Sequence, residues 1–150
     1  MLAPLAEKKS INLHFIGDHK INSIFDKKLI TQVLINLLSN AIKYSTDNTR
    51  VTITADIRNV MHKGEKEDCV YCSVKDEGVG ISESELDLVF DRFVESSHTQ
   101  KKSGGTGLGL SICQEIIRLH KGMIWVESPW QEIISGSAFY FQFPYKKLIP

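Results

Sequence analysis

Gly104-Gly105-Thr106-Gly107-Leu108-Gly109-Leu110 puts four glycines into seven residues, and a helical pattern of apolar residues follows at once. Glycine lets backbone amides approach an anion closely, and a helix that starts there turns its orphan N–H groups and positive end on the same spot. The stretch therefore predicts a phosphate cradle, and the known phosphate loops it fails to match narrow the fold. It is no Walker A loop, because Leu110 and Ser111 replace the lysine and hydroxyl that should follow the glycines. Its G-x-G-x-G spacing, with no strong strand just before it and no acidic ribose residue at the expected distance, also fails the dinucleotide fingerprint. The landmarks of serine/threonine/tyrosine kinases are absent too. Taken alone, such a loop is more often a plain turn.

Working outward, residues 94–103 hold serine, threonine, histidine, glutamine and two lysines with almost nothing to bury, the composition of a lid that a ligand would order. Downstream, residues 108–120 read as a helix with Leu108, Ile112, Ile116 and Leu119 on one side, ended by Lys121-Gly122. Upstream, Ser82 and Glu85 form a capping-box pattern for a short helix that stops near Phe93. Before it stands a second glycine stretch, Asp76-Glu77-Gly78-Val79-Gly80-Ile81, whose carboxylate ends an alternating apolar run and can accept from the edge of a base.

The remaining elements follow from periodicity. Apolar residues at helical spacing from Leu29 to Ile42 predict a helix over 27–44 with Asp26 as its cap. Val51, Ile53, Ala55 and Ile57 alternate, and with the run 69–75 they predict a hairpin whose solvated tip is 59–68. Residues 13–16 and 21–25 read as a small hairpin, and 124–127 and 138–144 as closing strands. The order β, β, α, β, β, short α, lid, α, β, β predicts an α/β sandwich, with helices layered on one face of a mixed sheet.

Bulk properties bound the function. A chain of 150 residues, 42% hydrophobic and 24% charged, suits one soluble domain with a real core. Eighteen basic against eighteen acidic residues leave no net field for nucleic acid or an anionic membrane, so an anion must be held by local geometry. No apolar run is long enough to span a bilayer, and the opening nine residues lack the apolar core of a signal peptide. Cys69, Cys72 and Cys113 suit a reducing compartment, and Cys69 and Cys72 on one strand should face opposite ways, which prevents shared metal chelation.

On the long helix, Asn36, Asn40 and Lys43 fall within about 60° of one another at 100° per residue, with Tyr44 at the edge of the stripe. An asparagine carbonyl can ligate Mg²⁺, and a lysine can meet a phosphate as a point charge. For a helix standing alone, a solvated polar face is the preferred reading.

Together these segments resemble the catalytic, ATP-binding domain of bacterial sensor histidine kinases, in the superfamily shared with DNA gyrase, heat-shock chaperone and mismatch-repair ATPases. The run from Leu34 to Ser45 looks like the N box, and Asp76 to Ile81 like the first glycine box. Phe90-Asp91-Arg92-Phe93 is similar to the F box, and Gly105 to Ser111 to the second glycine box. The resemblance covers nearly the whole chain and implies the Bergerat-type two-layer α/β sandwich, a mixed sheet of about five strands backed by three helices.

The resemblance also implies roles. Asn40 ligates Mg²⁺ with help from Asn36, Lys43 reaches a phosphate, and Tyr44 flanks the base. Asp76 accepts from the adenine amino group, Gly78 and Gly80 give the base room beside Ile81, and Ser137 supports the adenine through water. Gly105, Thr106, Gly107, Leu108, Gly109 and Leu110 wrap the ATP phosphates. Phe90 and Phe93 anchor the lid, and Arg92 steadies the transferred phosphoryl group.

The branch of the superfamily turns on Asn36, which stands where gyrase-like ATPases carry a glutamate that activates water, and an amide cannot take that proton. The expected activity is phosphoryl transfer from ATP to a histidine on a separate dimerisation domain, with catalysis resting on Asn36, Lys43 and Arg92. A non-catalytic nucleotide-binding regulatory module and a gyrase-like ATPase are the alternatives. None of His14, His19, His62, His98 and His120 has the surroundings of a phosphoacceptor. Residues 1–150 are therefore expected to be a fragment, one cytoplasmic catalytic domain without its dimerisation and sensor domains, from a parent that can be anchored in the inner membrane. The implied partners are the histidine-bearing dimerisation domain and a response regulator receiver domain, with no nucleic acid and no direct membrane contact.

Overall fold

The computed structural model describes residues 2–18, 20–91, 109–130 and 135–148. Its elements are α1 (Ala3–Lys8), β1 (Asn12–Gly17), α2 (Lys27–Tyr44), β2 (Arg50–His62), β3 (Glu65–Lys75), α3 (Glu83–Leu86), α4 (Gly109–Leu119), β4 (Met123–Glu127) and β5 (Ala138–Pro144). The expectations placed on Arg92, Phe93, the lid at 94–103, and Gly105, Thr106, Gly107 and Leu108 lie outside the described residues.

Five strands form one sheet in the order β1-β2-β3-β5-β4, with β1 parallel to β2 and the other pairs antiparallel. Alternation sorts the side chains. The register aligns Ile53 with Val74, Val74 with Phe139 and Phe139 with Val126, so one apolar face runs across four strands. Helices α2 and α4 pack on that face through Val33, Leu37, Ile42, Cys113, Ile116 and Ile117, all buried in the same core as Phe141 and Phe143. The opposite face carries Tyr71, Trp125 and Tyr140, with Trp125 stacked on Tyr140 at 5.4 Å. The mixed α/β sandwich is as the periodicity predicts.

Five details differ from the sequence reading. Residues 21–25 form no strand, because β1 pairs with β2, and a parallel pair needs a crossover that the 18-residue α2 supplies. The 21–25 segment instead lies along the C-terminal tail, where Ile24 N donates to Lys146 O at 3.0 Å and Phe25 packs 5.6 Å from Phe143. The polar run 59–68 is mostly strand, since β2 and β3 pair up to His62 and Glu65 and turn only at Lys63-Gly64, both at positive φ.

The buried stripe of α4 is Cys113, Ile116 and Ile117, which meet α2 and the sheet, whereas Ile112 and Leu119 are exposed. Ser82 occupies the N-cap of α3, yet its side chain makes no capping bond, and α3 is a single turn. The short α1 was not apparent from periodicity. Its only buried residue is Ala6.

Candidate functional site

The site is assembled where the C-terminal end of α2 meets the loop after β3. Asp26 caps α2 by accepting from Leu29 N at 3.0 Å, and the helix then runs unbroken to Tyr44, which keeps Asn36, Asn40 and Lys43 on one stripe. Asn36 turns its amide nitrogen toward Gly109 O at 3.4 Å and Cys113 Sγ at 3.7 Å. Its carbonyl oxygen takes no part in those bonds. The same contacts bring the end of the second glycine stretch against the N box, with the Gly109 Cβ position 4.0 Å from the Asn36 Cγ. Leu110 packs against the core beside it. Lys43 Nζ lies 5.4 Å from the centre of the Tyr44 ring.

Asp76 is 4% exposed and its carboxylate is held on both oxygens. Oδ1 accepts from Gly78 N at 3.0 Å and Ser137 N at 3.1 Å, and Oδ2 accepts from the Ser137 hydroxyl at 2.9 Å. Among the described residues Oδ2 takes no second donor, which leaves a lone pair for an outside donor such as an exocyclic amine. Burial pushes the Asp76 carboxyl above its ordinary value, opposed by the hydrogen bonds from Gly78 and Ser137, while the Glu77 charge adds to the rise.

The loop after Asp76 is locked to α2. Val79 N donates to Tyr44 O at 3.3 Å, and Ser45 and Gly78 form an isolated antiparallel bridge. A Cβ at Gly78 would stand 2.2 Å from Tyr44 O, so only glycine permits this approach. Gly80 adopts φ 76, and Ile81 N donates to Ser128 Oγ at 2.8 Å. Phe90 packs edge-on against Phe139 at 6.1 Å.

Of the sequence candidates, Asn36, Asn40, Lys43 and Tyr44 share α2, Asp76, Gly78, Gly80 and Ile81 share the adjoining loop, and Ser137, the residue before β5, is bonded to Asp76. Three supports were missed. Trp130 Nε1 donates to Asp76 O at 2.7 Å, Ser135 Oγ to Gly78 O at 2.9 Å, and Ser128 Oγ to Gly136 O at 2.7 Å. Each grips a backbone carbonyl, which no side-chain motif advertises. A tryptophan in a polar loop was the one available signal.

Outside the site, Cys69 and Cys72 are both buried and face opposite sides of β3, and burial pushes the Cys72 thiol up to about 12. Ligand atoms of His62, Glu67 and Cys69 lie within 4.8 Å of one another. However, the Gln142 amide donates to both Met61 O and His62 Nδ1, which puts the ring proton on Nε2, and Nε2 donates it to Lys121 O at 2.8 Å. The imidazole is already committed, so this cluster is structural. A cleft of about 440 Å³ lined by Asn12, Arg50, Glu77 and Trp130, among others, contains none of the nucleotide candidates.

Comparison with known proteins agrees with this geometry. The family described as "Histidine kinase-, DNA gyrase B-, and HSP90-like ATPase" matches residues 25–147. The chain is 44% identical over 134 residues to the sensor histidine kinase WalK of Bacillus subtilis, covering 88% of this chain and 20% of WalK. The solved catalytic domain of histidine kinase ThkA, in a nucleotide-free form, superposes with a TM-score of 0.73 at 33% identity over 97% of this chain and 86% of that one. Full-length ShkA, solved in complex with AMPPNP, gives a TM-score of 0.76 at 25% identity over 99% of this chain and 28% of that one. The chain thus spans about a fifth of the length of WalK.

Proposed function

The chain belongs to the family of histidine kinase-, DNA gyrase B- and HSP90-like ATPases, and from that premise we propose that it is the catalytic domain of a sensor histidine kinase. It binds ATP and passes the γ-phosphoryl group to a histidine on a separate dimerisation domain of the same parent protein. The observation that supports this reading is the Asp76 cradle joined at Gly78 and Ser45 to the end of α2, the helix that also carries Asn36, Asn40 and Lys43.

In this reading Asp76 Oδ2 accepts from the adenine amino group while Gly78 and Gly80 leave room for the ring. The Asn36 and Asn40 carbonyls are hard neutral oxygens that fit Mg²⁺, and with the Asn36 amide nitrogen turned toward α4 no bond among the described residues engages its oxygen. Mg²⁺ held there would supply charge neutralisation for phosphoryl transfer. Lys43 adds a point charge on the same stripe, and the first turn of α4 at Gly109 and Leu110 offers backbone amides to the phosphate chain. By resemblance, Arg92, Phe93 and residues 105–108 complete the site.

Asn36 supports transfer over hydrolysis, since it cannot serve as a general base for water. The proposed receiver of the phosphoryl group after the histidine is a response regulator. Among the described residues no helix is long and apolar enough to cross a membrane. A cytoplasmic setting, with a parent that can be anchored in the inner membrane, is proposed on the family resemblance. Calorimetric titration of the chain with ATP, with and without Mg²⁺, tests the binding half. Addition of the parent's histidine-bearing domain and radiolabelled ATP tests transfer. A chain that binds no adenine nucleotide, or a histidine domain left unlabelled by a chain that does bind, refutes the corresponding half.

A further inference from the structure

Lys9, the residue after α1, places its ammonium at the far end of α2. Nζ lies 2.8 Å from Ile42 O, 2.9 Å from Lys43 O and 2.6 Å from Ser45 O. These carbonyls belong to the helix end that has no intrahelical partners, and three ammonium protons match three acceptors. A cation there also meets the negative end of the helix dipole. The backbone of Lys9 is fixed as well, its N–H donating to Ala6 O at 3.2 Å and its carbonyl accepting from Asn48 N at 3.0 Å. The ammonium position is therefore tied to α1 on one side and to the loop before β2 on the other.

The carbonyls that Lys9 holds belong to the end of α2 that is joined to the loop carrying Asp76 and Gly78. Ser45 bridges to Gly78, and Gly78 N donates to Asp76 Oδ1 at 3.0 Å. Tyr44 lies between the held carbonyls of Lys43 and Ser45, and Tyr44 O accepts from Val79 N at 3.3 Å. Polar contacts thus link Lys9 to the backbone of residues 42–45, that backbone to the next loop through Tyr44 O and Val79 N, and the loop to the Asp76 carboxylate through Gly78 N. At the other end, α1 is six residues long and contributes one buried residue, Ala6, while Leu5 is 40% exposed. So short a helix has little stability of its own and is held by its contacts.

We propose that Lys9 is a positioning residue for the nucleotide site. Its ammonium fixes the α2 terminus that aligns Lys43, Tyr44 and Gly78, so that nucleotide affinity depends on the placement of α1. The proposal rests on the nucleotide-binding reading above and names a residue that touches no ligand.

The test compares the wild-type chain with Lys9→Met, which keeps the stem and removes the donors, and with Lys8→Met, which removes the same charge from the neighbouring exposed position. Melting is followed first, and Mg²⁺-ATP is then titrated well below the transition. Lys9→Met is expected to weaken Mg²⁺-ATP about tenfold, the size of a common coupling between linked sites. It should also shift the amide resonances of Gly78 and Val79 in the ligand-free protein, whereas Lys8→Met changes neither. A Lys9→Met chain that melts lower but binds Mg²⁺-ATP like the wild type, with Gly78 and Val79 unmoved, overturns the proposal, as does an equal loss in Lys8→Met. Should Lys9→Met not fold cooperatively, Lys9→Gln is read by the same measurements. A wild-type chain that binds no adenine nucleotide overturns the functional reading itself and this inference with it.

Discussion

Ser137 holds Asp76 from two sides, its amide on Oδ1 at 3.1 Å and its hydroxyl on Oδ2 at 2.9 Å, while Ser137 O accepts from Asp76 N at 2.9 Å. Two positions 61 residues apart in sequence thus fix one carboxylate plane, and with it the direction of the lone pair left for a ligand.

Ser137→Ala removes one of those bonds and keeps the backbone. The expected result is a loss of roughly 1 kcal/mol in adenine nucleotide binding, about fivefold in affinity, because the carboxylate can then rotate and must be ordered by the ligand. Calorimetry with ADP measures it. An affinity equal to the wild type would show that the hydroxyl serves the fold alone.

The pH dependence has opposite signs for folding and for binding. Burial raises the Asp76 carboxyl above the ordinary 3.8, so the native state keeps its proton to higher pH than the unfolded chain does. The stability this group contributes is complete below the ordinary value and is lost as pH rises through the folded one. Nucleotide binding needs the ionised acceptor, so affinity should fall as pH drops through the same window while the Asp76 contribution to stability grows. Asp76→Asn should bind weakly at every pH with a flatter profile. Parallel profiles for the wild type and Asp76→Asn would remove Asp76 from base recognition.

Much of this arrangement was legible before the structure. The apolar spacing from Leu29 to Ile42 and the capping Asp26 gave α2 to the residue, and the run from Ala138 to Pro144 gave β5. The tight turn at Gly78 had a local mark, since a glycine two residues after an aspartate suits both the bond from Gly78 N to Asp76 and the close approach to Tyr44 O. The partner of β1 was not, since pairing Leu13 with Val51 is decided by tertiary register and leaves no local mark. The polar run 59–68 misled because backbone pairing stabilises strands whose side chains face water. Trp130 and Lys9 escaped notice for a related reason: both act on backbone carbonyls of distant residues, Asp76 for one and Ile42, Lys43 and Ser45 for the other.

Gly78→Ala should separate from Gly64→Ala. A Cβ at Gly78 meets Tyr44 O at 2.2 Å, so the loop must leave α2, at about 1–3 kcal/mol of strain, and nucleotide binding should be lost along with stability. At Gly64 nothing lies within 4 Å and only the positive φ of 86° resists, so Gly64→Ala should cost about 1–2 kcal/mol and leave affinity intact. Thermal melts paired with titrations distinguish the two. Normal binding by Gly78→Ala would mean that the junction with Tyr44 is dispensable to the site.

Asn40→Ala should reduce the Mg²⁺-dependent part of ATP binding and leave metal-free affinity nearly unchanged, since a carbonyl ligand is lost from the proposed metal position and no base contact is touched. Titrations of ATP in Mg²⁺ and in chelator provide the comparison. A matched decline in both would assign Asn40 to the packing of α2.

Turnover is the sharpest test of the branch. With Asn36 in place of a general base, the chain alone should bind Mg²⁺-ATP and release phosphate no faster than a control lacking protein. Adding the parent's histidine-bearing domain should permit transfer, because the reaction then lacks no nucleophile and depends chiefly on positioning and charge neutralisation. Asn36→Glu places a carboxylate on the same stripe and should raise hydrolysis while lowering transfer. A positioned general base contributes on the order of 10²–10⁴ in rate, so even partial success would be visible in a phosphate-release assay. Rapid hydrolysis by the unmodified chain would move the protein to the gyrase-like branch. Stable label on one of its own five histidines would show that it carries its acceptor with it.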